Sequence, residues 1–383
     1  MSGVGTRQVF FIGGFDPKGP SSFYQRQRES LAAHSARHGG VYTLGPRVRN
    51  SSCSHQWSIL ASGGAGDVRT QFDYLAWDDL VRQQWARTPA ALTRQALGSL
   101  RDFVVTGAMQ RLYGLSKNVV LAALFPYGMV VAAAVATALA GALAAKTAQA
   151  LGWPGLWQWV ALAAALAATA TASYHGLRRL PSTWFMRVVA FARSYAQAHS
   201  PDAPLQQRVA AWGQHLCQQL QASPADEVLL VGYSAGSILS TGVLAYVLRH
   251  APAADHARMS LLTLGNCIGV PAALPHATHL LKDLTTIGNA QVRWLDVTSP
   301  VDWGSLALCD PVCIFANGQA STQRRFISPQ FHLLFCAEKY QQLKKDKYRV
   351  HQQYLQTSEL LGKYDYFAIL CGSMSLHERF FTS

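Results

Sequence analysis

The sequence predicts an α/β protein, a mostly parallel sheet flanked by helices and interrupted by a two-helix transmembrane hairpin. Three observations lead there. Short apolar runs alternate with helical patterns, the order that builds parallel sheets with helices on both faces. A nearly uncharged stretch divides that alternation in two. The run "VLLVGYSAGS", Val228 to Ser237, joins an apolar strand to a helical pattern through a Gly-Tyr-Ser-Ala-Gly turn.

Of 383 residues, 50% are hydrophobic and 14% charged, against a usual charged share of roughly 25%. That deficit fits a membrane-embedded portion. The formal charge of +13 suits an anionic partner. With no zinc-ligand spacing and no basic run interleaved with aromatics, the lipid bilayer is expected rather than nucleic acid. Seven scattered cysteines without a CxxC pair read as reduced cytosolic thiols. No motif calls for a metal or a cofactor.

From the N-terminus, "MSGVGTRQVFFIGGFDPKG" carries an apolar run of about six residues, short for a secretory signal. It reads as a first strand, Gln8–Ile12, entering a glycine turn. Gln25–Arg37 and Trp77–Trp85 read as helices, and Gly40–Leu44 and Ser58–Ala61 as strands. Between Lys117 and Arg178 the one charged residue is Lys146. It leaves spans at about 118–145 and 156–177, each long enough at ~1.5 Å per residue to cross a hydrocarbon core of ~30 Å. Gly152, Pro154 and Gly155 form the turn, and Trp153, Trp157 and Trp159 cluster beside it as an interfacial belt does.

Arg101, Arg111 and Lys117 before the hairpin, and Arg178, Arg179, Arg187 and Arg193 after it, outweigh the single lysine near the tip. The positive side is the cytoplasmic one. The expected location is therefore the inner membrane, with both termini cytoplasmic. Small residues recur at every fourth position: Gly128, Ala132, Ala136, Ala140 and Ala144, then Ala161, Ala165, Thr169 and Ser173. Such stripes let helices approach closely. The competing reading is an alanine-rich pair buried in a soluble protein. The chain thus divides into residues 1–116, the first part of a cytoplasmic α/β domain; 117–178, the hairpin; and 179–383, the second part, carrying the candidate catalytic residues.

Beyond the hairpin, helical patterns lie at Thr183–Ala198, Pro204–Gln221, Ser237–Arg249 and Ala337–Lys347. Strands are expected at Val228–Val231, Leu261–Leu264, Val292–Val297 and Tyr366–Leu370. A Gly-x-Ser-x-Gly turn between strand and helix forces its serine into a sharp bend, and the glycines keep Cβ atoms out of the crowded approaches. Ser234 is therefore the candidate nucleophile. Such a serine needs a base, and the base an orienting carboxylate.

In sheets that carry this elbow the acid follows the serine and the histidine comes last. In "VRWLDVTSPVDWGS", Asp302 lies in the loop after a strand, ranked ahead of Asp296 within the strand; Asp310 reads as a turn residue. Of 13 histidines, His332, His351 and His377 follow Asp302. His351 is preferred. His332, in "FHLLF", reads as a packed core residue and His377 as a solvated one. The oxyanion donors are expected to be the Ala235 amide, next after the serine, and the Phe15 amide, in a loop freed by Gly13 and Gly14.

The strand–"GYSAG"–helix unit, the later Asp302 and the still later His351 resemble the α/β-hydrolase serine esterases and lipases. The stretches "WLDVTSPVDWGSLALCDPV" and "HQQYL…KYDYF" are similar to a group of bacterial membrane-anchored hydrolase-like proteins. The resemblance spans Gln8–Ile12 and about Glu227–Phe367, outside the hairpin. It implies an α/β-hydrolase-like sheet, Ser234 as nucleophile, His351 as base and Asp302 as its partner. The expected function is membrane-anchored cleavage of an acyl ester, with a lipid as the substrate suggested by the anchor and the charge. The alternative is an inactive hydrolase-like scaffold or interaction protein. A transport role is disfavoured, since the spans carry no buried acid or base pair.

Overall fold

Strand β1 (Thr6–Ile12) holds Val9, Phe10, Phe11 and Ile12 with no exposed surface. An unbroken apolar run of this kind belongs inside a sheet covered on both faces. In the computed structural model, which describes residues 3–63, 66–179, 182–222 and 224–382, β1 lies in the interior of a nine-stranded sheet. The other strands are β2 (Val41–Leu44), β3 (Val48–Ser51), β4 (Ser54–Ser62), β5 (Val68–Leu75), β6 (Glu227–Tyr233), β7 (Met259–Leu264), β8 (Arg293–Val297) and β9 (Arg324–Ile327).

The order is β2-β4-β5-β1-β6-β7-β8-β9, with β3 paired to β4. Neighbours from β5 through β1 to β9 run parallel, whereas β2, β3 and β5 each pair antiparallel with β4. The sheet is mixed. Because β1 pairs with β5 on one side and β6 on the other, sequence from both sides of the uncharged stretch shares one sheet.

Side chains alternate across the strands and build two cores. Phe10, Ile12, Val228 and Leu230 face one side; Val9, Phe11, Leu229 and Val231 face the other. The first face is covered by helices α7 (Ser182–Gln197), α8 (Pro204–Ala222) and α9 (Gly236–His250), and the second by α1 (Gly19–His38) and the C-terminal segments. At the strand starts, the buried Arg7 pairs with Glu227 at 2.6 Å and donates to the carbonyls of Leu370, Gly372 and Met374. That clamp ties the C-terminal segment to the centre of the sheet.

Between β5 and α7 come α2 (Asp78–Gln84), α3 (Pro89–Val105), α4 (Ala108–Leu115), α5 (Lys117–Ala150) and α6 (Gly155–Arg179). The two helices α5 and α6 are long and apolar enough to cross a membrane. Of their most apolar windows, 17% and 0% are buried, so the rest of the chain leaves most of their apolar surface uncovered. Leu121, Phe125, Val130, Val131, Leu139 and Leu143 are exposed along α5. Both helices overrun the expected spans, starting at Lys117 and ending at Arg179. The side chains of Arg178 and Arg179 lie outside the described residues.

The stripe on α6 faces its partner, with Ala161, Ala165, Thr169 and Ser173 all partly covered, but that on α5 is corrected. Gly128, Ala132 and Ala136 are exposed, while Ala140 and Ala144 nearer the tip are partly covered as expected; over the first part the covered positions are instead Ala133 and Thr137, leading to Gly141 and Ala148. A Cβ on Gly141 would stand 2.8 Å from Leu166. One residue of drift per two turns is enough to carry a stripe off the contact face.

Other expectations also change. Tyr366–Leu370, expected as a strand, is a helix, Tyr366–Cys371, capped by Asp365, whose carboxylate accepts from the Phe367 and Ala368 amides. Its aromatic run resembled a strand because every residue but Ala368 is buried. His332 is exposed, since Phe331 and Leu334 are the inward-facing members of its turn. His377 is half-buried, stacked on Phe381. Strands β3, β5 and β9 were not expected; β5 alternates polar and apolar residues in "VRTQFDYL", and β3 and β9 are short and charged.

Candidate active site

Strand β6 ends at Tyr233 and α9 begins at Gly236, so the chain turns within Ser234 and Ala235. Ser234 takes φ 55°, the left-handed region that disfavours a side chain by ~1–2 kcal/mol. The glycines on either side make this turn possible. A Cβ on Gly232 would stand 2.7 Å from the Ser237 backbone, and one on Gly236 2.1 Å from the Ile12 carbonyl oxygen. The bend is tied down from both sides: the Ser234 amide donates to the Leu264 carbonyl at 2.9 Å, and the Ser237 hydroxyl donates to the Ser234 carbonyl at 2.6 Å.

His351 reaches this serine from the short helix Lys347–Gln352, which begins at the Asp346 cap. Its Nε2 stands 2.8 Å from the Ser234 Oγ, and its Nδ1 2.8 Å from the Asp302 Oδ2. Asp302 lies in the loop after β8, where its Oδ1 accepts from the Gly304 amide at 2.9 Å and its Oδ2 from the Tyr354 hydroxyl at 3.1 Å. Burial works to raise the Asp302 carboxyl pKa, but the adjacent His351 and its hydrogen bonds outweigh that and hold it below the ordinary value. Asp302 is thus an anion, the state that fixes Nδ1 as the protonated nitrogen and leaves Nε2 to face the serine.

Serine, imidazole and carboxylate are all almost fully buried. The histidine is closely packed. Tyr233 donates to its backbone carbonyl at 3.0 Å, and the Trp184 ring on α7 lies 5.4 Å from the imidazole. Gly265 (φ 57°) and Gly304 leave room for it, since a Cβ at either would come within 3.2 Å of the ring. Cys267 lies beside Ser234, and burial pushes its thiol up to about 12, so it is a neutral neighbour.

The loop after β1 covers the serine. A Cβ on Gly14 would stand 3.1 Å from the Ser234 Cβ and 3.4 Å from its Oγ. Trp77 donates to the Gly13 carbonyl at 3.0 Å, and the Phe15 ring packs against Trp77, Trp85 and Phe191, which fixes the loop's course. Among the described residues, neither the Phe15 nor the Ala235 amide has a hydrogen-bond acceptor. Gly14, Phe15, Ser234 and His351 border a cleft of about 730 Å³, which also takes in Phe23, Trp184 and the cations Lys18, Arg26, Arg37 and Arg187.

The structure therefore brings together Ser234, His351 and Asp302, with Gly14 against the serine and Phe15 and Ala235 beside it. It separates the other candidates. Asp296 is a buried structural acid, accepting from Thr263 and Asn266 at 2.6 Å and from Thr298 at 2.9 Å, with burial raising it to about 7. Asp310 caps the helix Pro311–Phe315 and pairs with Arg324. The sequence marks Tyr354 only as an aromatic near His351, and it assigns no role to Tyr354, Trp184 or Cys267. Tyr354 stands three residues after His351, a spacing that puts it on the same side of a helical turn; nothing local marks the other two. Among the described residues no group of His, Cys, Asp and Glu could hold a metal ion. No family model, curated protein or solved structure matches the chain.

Proposed function

We propose that this protein is a membrane-anchored serine hydrolase that cleaves an acyl ester at the cytoplasmic face of the inner membrane. One observation carries the reading: a serine strained at φ 55° whose Oγ, the two nitrogens of His351 and the Asp302 carboxylate form one hydrogen-bonded line with 2.8 Å steps. A buried polar chain of this kind, ending at a hydroxyl on a cleft wall, suits proton transfer better than stability.

The Ser234 Oγ attacks the ester carbonyl carbon while its proton passes to His351 Nε2. The Ala235 and Phe15 amides hold the oxyanion. As the tetrahedral species collapses, the bond to the alcohol oxygen breaks and His351 returns the proton to the leaving alkoxide. A water molecule, deprotonated by the same nitrogen, then attacks the acyl-serine; the acyl–Oγ bond breaks, His351 returns the proton to the Ser234 Oγ, and the acid leaves. Asp302 stabilises the imidazolium in both halves. The hairpin, whose exposed apolar surface suits hydrocarbon, holds the cleft beside the lipid headgroups, and the net positive charge favours an anionic leaflet.

An alkyl fluorophosphonate is the test: wild-type membranes are expected to label and Ser234→Ala membranes are not. Equal, weak labelling of both would leave the alternative, a hydrolase-like scaffold without turnover, for which the complete burial of Ser234 is the favouring observation. For topology, a cysteine placed at Gln149, at the hairpin tip, is expected to react with an impermeant maleimide added outside the cell. Protection there would argue against a spanning hairpin.

A further inference from the structure

The cleft that Ser234 borders is positively charged. Its lining holds Lys18, Arg26, Arg37 and Arg187 against two acids, Asp16 and Glu29. These charges are not equivalent. Arg26 is engaged by Asp16 at 3.1 Å. Arg37 lies about three turns further along α1, where it donates to the Ser358 carbonyl at 3.0 Å. Lys18 is exposed at the rim.

Arg187 is half-buried, and its neighbours fix it beside the reacting groups. Its guanidinium lies over the Trp85 ring at 4.6 Å and donates to the Ala86 carbonyl at 3.2 Å. Trp85 in turn stacks on the Phe15 ring at 5.7 Å, and the Phe15 amide is the expected oxyanion donor. On the other side, Arg187 follows Trp184 by three residues, so the two share a face of α7, and Trp184 packs on His351. The cation is thus bracketed between the oxyanion loop and the base, on the wall of the cleft that Ser234 also lines. Burial pushes its pKa down, because folding has partly dehydrated the charge. Such a charge gains more from an anion than one in open water does. A guanidinium also presents its N–H groups in a planar fork that matches a carboxylate or a phosphate.

We propose that the substrate is an anionic ester, and that Arg187 binds its carboxylate or phosphate while Ser234 attacks the ester carbonyl. Lys18 adds a second, looser charge at the rim. The inference rests on Ser234 being the nucleophile. It makes Arg187 a specificity-determining residue, because a neutral ester of the same shape gains nothing from the guanidinium.

Two matched pairs of chromogenic esters test this on the full-length protein in a non-ionic detergent. In one pair the charge is on the alcohol, 3-butyryloxy-4-nitrobenzoate against 2-nitrophenyl butyrate. In the other it is on the acid, the 4-nitrophenyl monoester of adipate against 4-nitrophenyl hexanoate. At least one ionised ester should exceed its neutral partner by about tenfold or more in kcat/KM, the worth of a charged hydrogen bond. Which pair does so tells which half of the substrate carries the anion. Arg187→Gln should bring that ratio close to one, whereas a purely structural arginine would lower both esters together and leave the ratio standing. Equal rates within both pairs in the wild type, or a ratio that survives Arg187→Gln, would overturn the proposal.

If Arg187→Gln does not fold, Ser234→Ala protein decides. The preferred ionised ester should shield the Arg187 peptide from phenylglyoxal and its neutral partner should not, and equal modification overturns the proposal. Failure of the nucleophile reading looks different. In that case Ser234→Ala hydrolyses the neutral esters as fast as the wild type does.

Discussion

Replacing Asp302 with asparagine exchanges an oxygen for an amino group in a site that has acceptor positions only. Asp302 Oδ1 accepts from the Gly304 amide at 2.9 Å, and Oδ2 from His351 Nδ1 at 2.8 Å and Tyr354 at 3.1 Å. A carboxamide can serve one of these edges. With its oxygen kept on Gly304, its NH2 faces His351, and the ring must turn a lone pair toward it at Nδ1. The proton then sits on Nε2, which donates to Ser234 instead of accepting from it.

The flipped carboxamide would set its NH2 against the Gly304 N–H, donor against donor, so the first arrangement prevails. In a serine protease the same wrong tautomer lowers kcat about ten-thousandfold, which corresponds to about 5 kcal/mol of lost transition-state stabilisation. The assay is the initial rate of p-nitrophenyl butyrate hydrolysis at matched protein concentration, with the thermal midpoint measured alongside. A fall of that order with the fold retained is expected. A folded variant within about tenfold of the wild-type rate would refute the assignment of Asp302, because no working base would then depend on its charge.

Three more expectations follow from the same geometry. Gly14→Val places its Cβ 3.1 Å from the Ser234 Cβ and its methyl groups where a carbonyl must approach; fluorophosphonate labelling should fall by about a hundredfold or more at nearly constant thermal midpoint, and normal labelling would count against an oxyanion loop there. Arg7→Met leaves Glu227 buried without its partner and three carbonyls without their donor; a loss of about 3–5 kcal/mol is expected, read in thermal unfolding, and an unchanged midpoint contradicts the clamp. Burial raises the Asp296 carboxyl from 3.8 to about 7, so the folded state holds this proton more tightly than the unfolded one. Its contribution to stability is full below 3.8 and is lost as the pH rises toward about 7. Asp296→Asn should flatten the stability profile across that window, and an unaltered slope would contradict the assignment.

Periodicity exposed the central strands because β1, β6, β7 and β8 are buried on both faces and so read as continuous apolar runs. Strand β5 alternates, a period-2 signal that a search for continuous apolar runs passes over, whereas β3 and β9 are four residues each with arginines and carry little local signal. The helix at Tyr366–Cys371 reads as a strand in sequence because burial of all its residues but Ala368 erases the difference between the two periods. Ser234 was legible because its bend is local and needs glycines at two fixed offsets. Asp302 and His351 were legible through chain order alone, since nothing near either residue marks its meeting with a serine far away in sequence. Tyr354 stands at helical spacing from His351, but its hydrogen bond to Asp302, like the contacts of Trp184 and Cys267, joins elements that sequence spacing does not connect. The base of α5 carried no mark of its place in the fold, since Val120 and Leu124 read like the other apolar residues of a long apolar helix.

The account depends most on an acyl group passing through one oxygen atom. Acid quenching during turnover of p-nitrophenyl butyrate, followed by peptide mass spectrometry, observes that event directly. A butyryl group is expected on the peptide containing Ser234 in the wild type, accumulating when His351 is replaced after acylation has been forced with excess ester, and absent in Ser234→Ala. Hydrolysis that continues undiminished in Ser234→Ala, or a butyryl group found only on another residue, would contradict it.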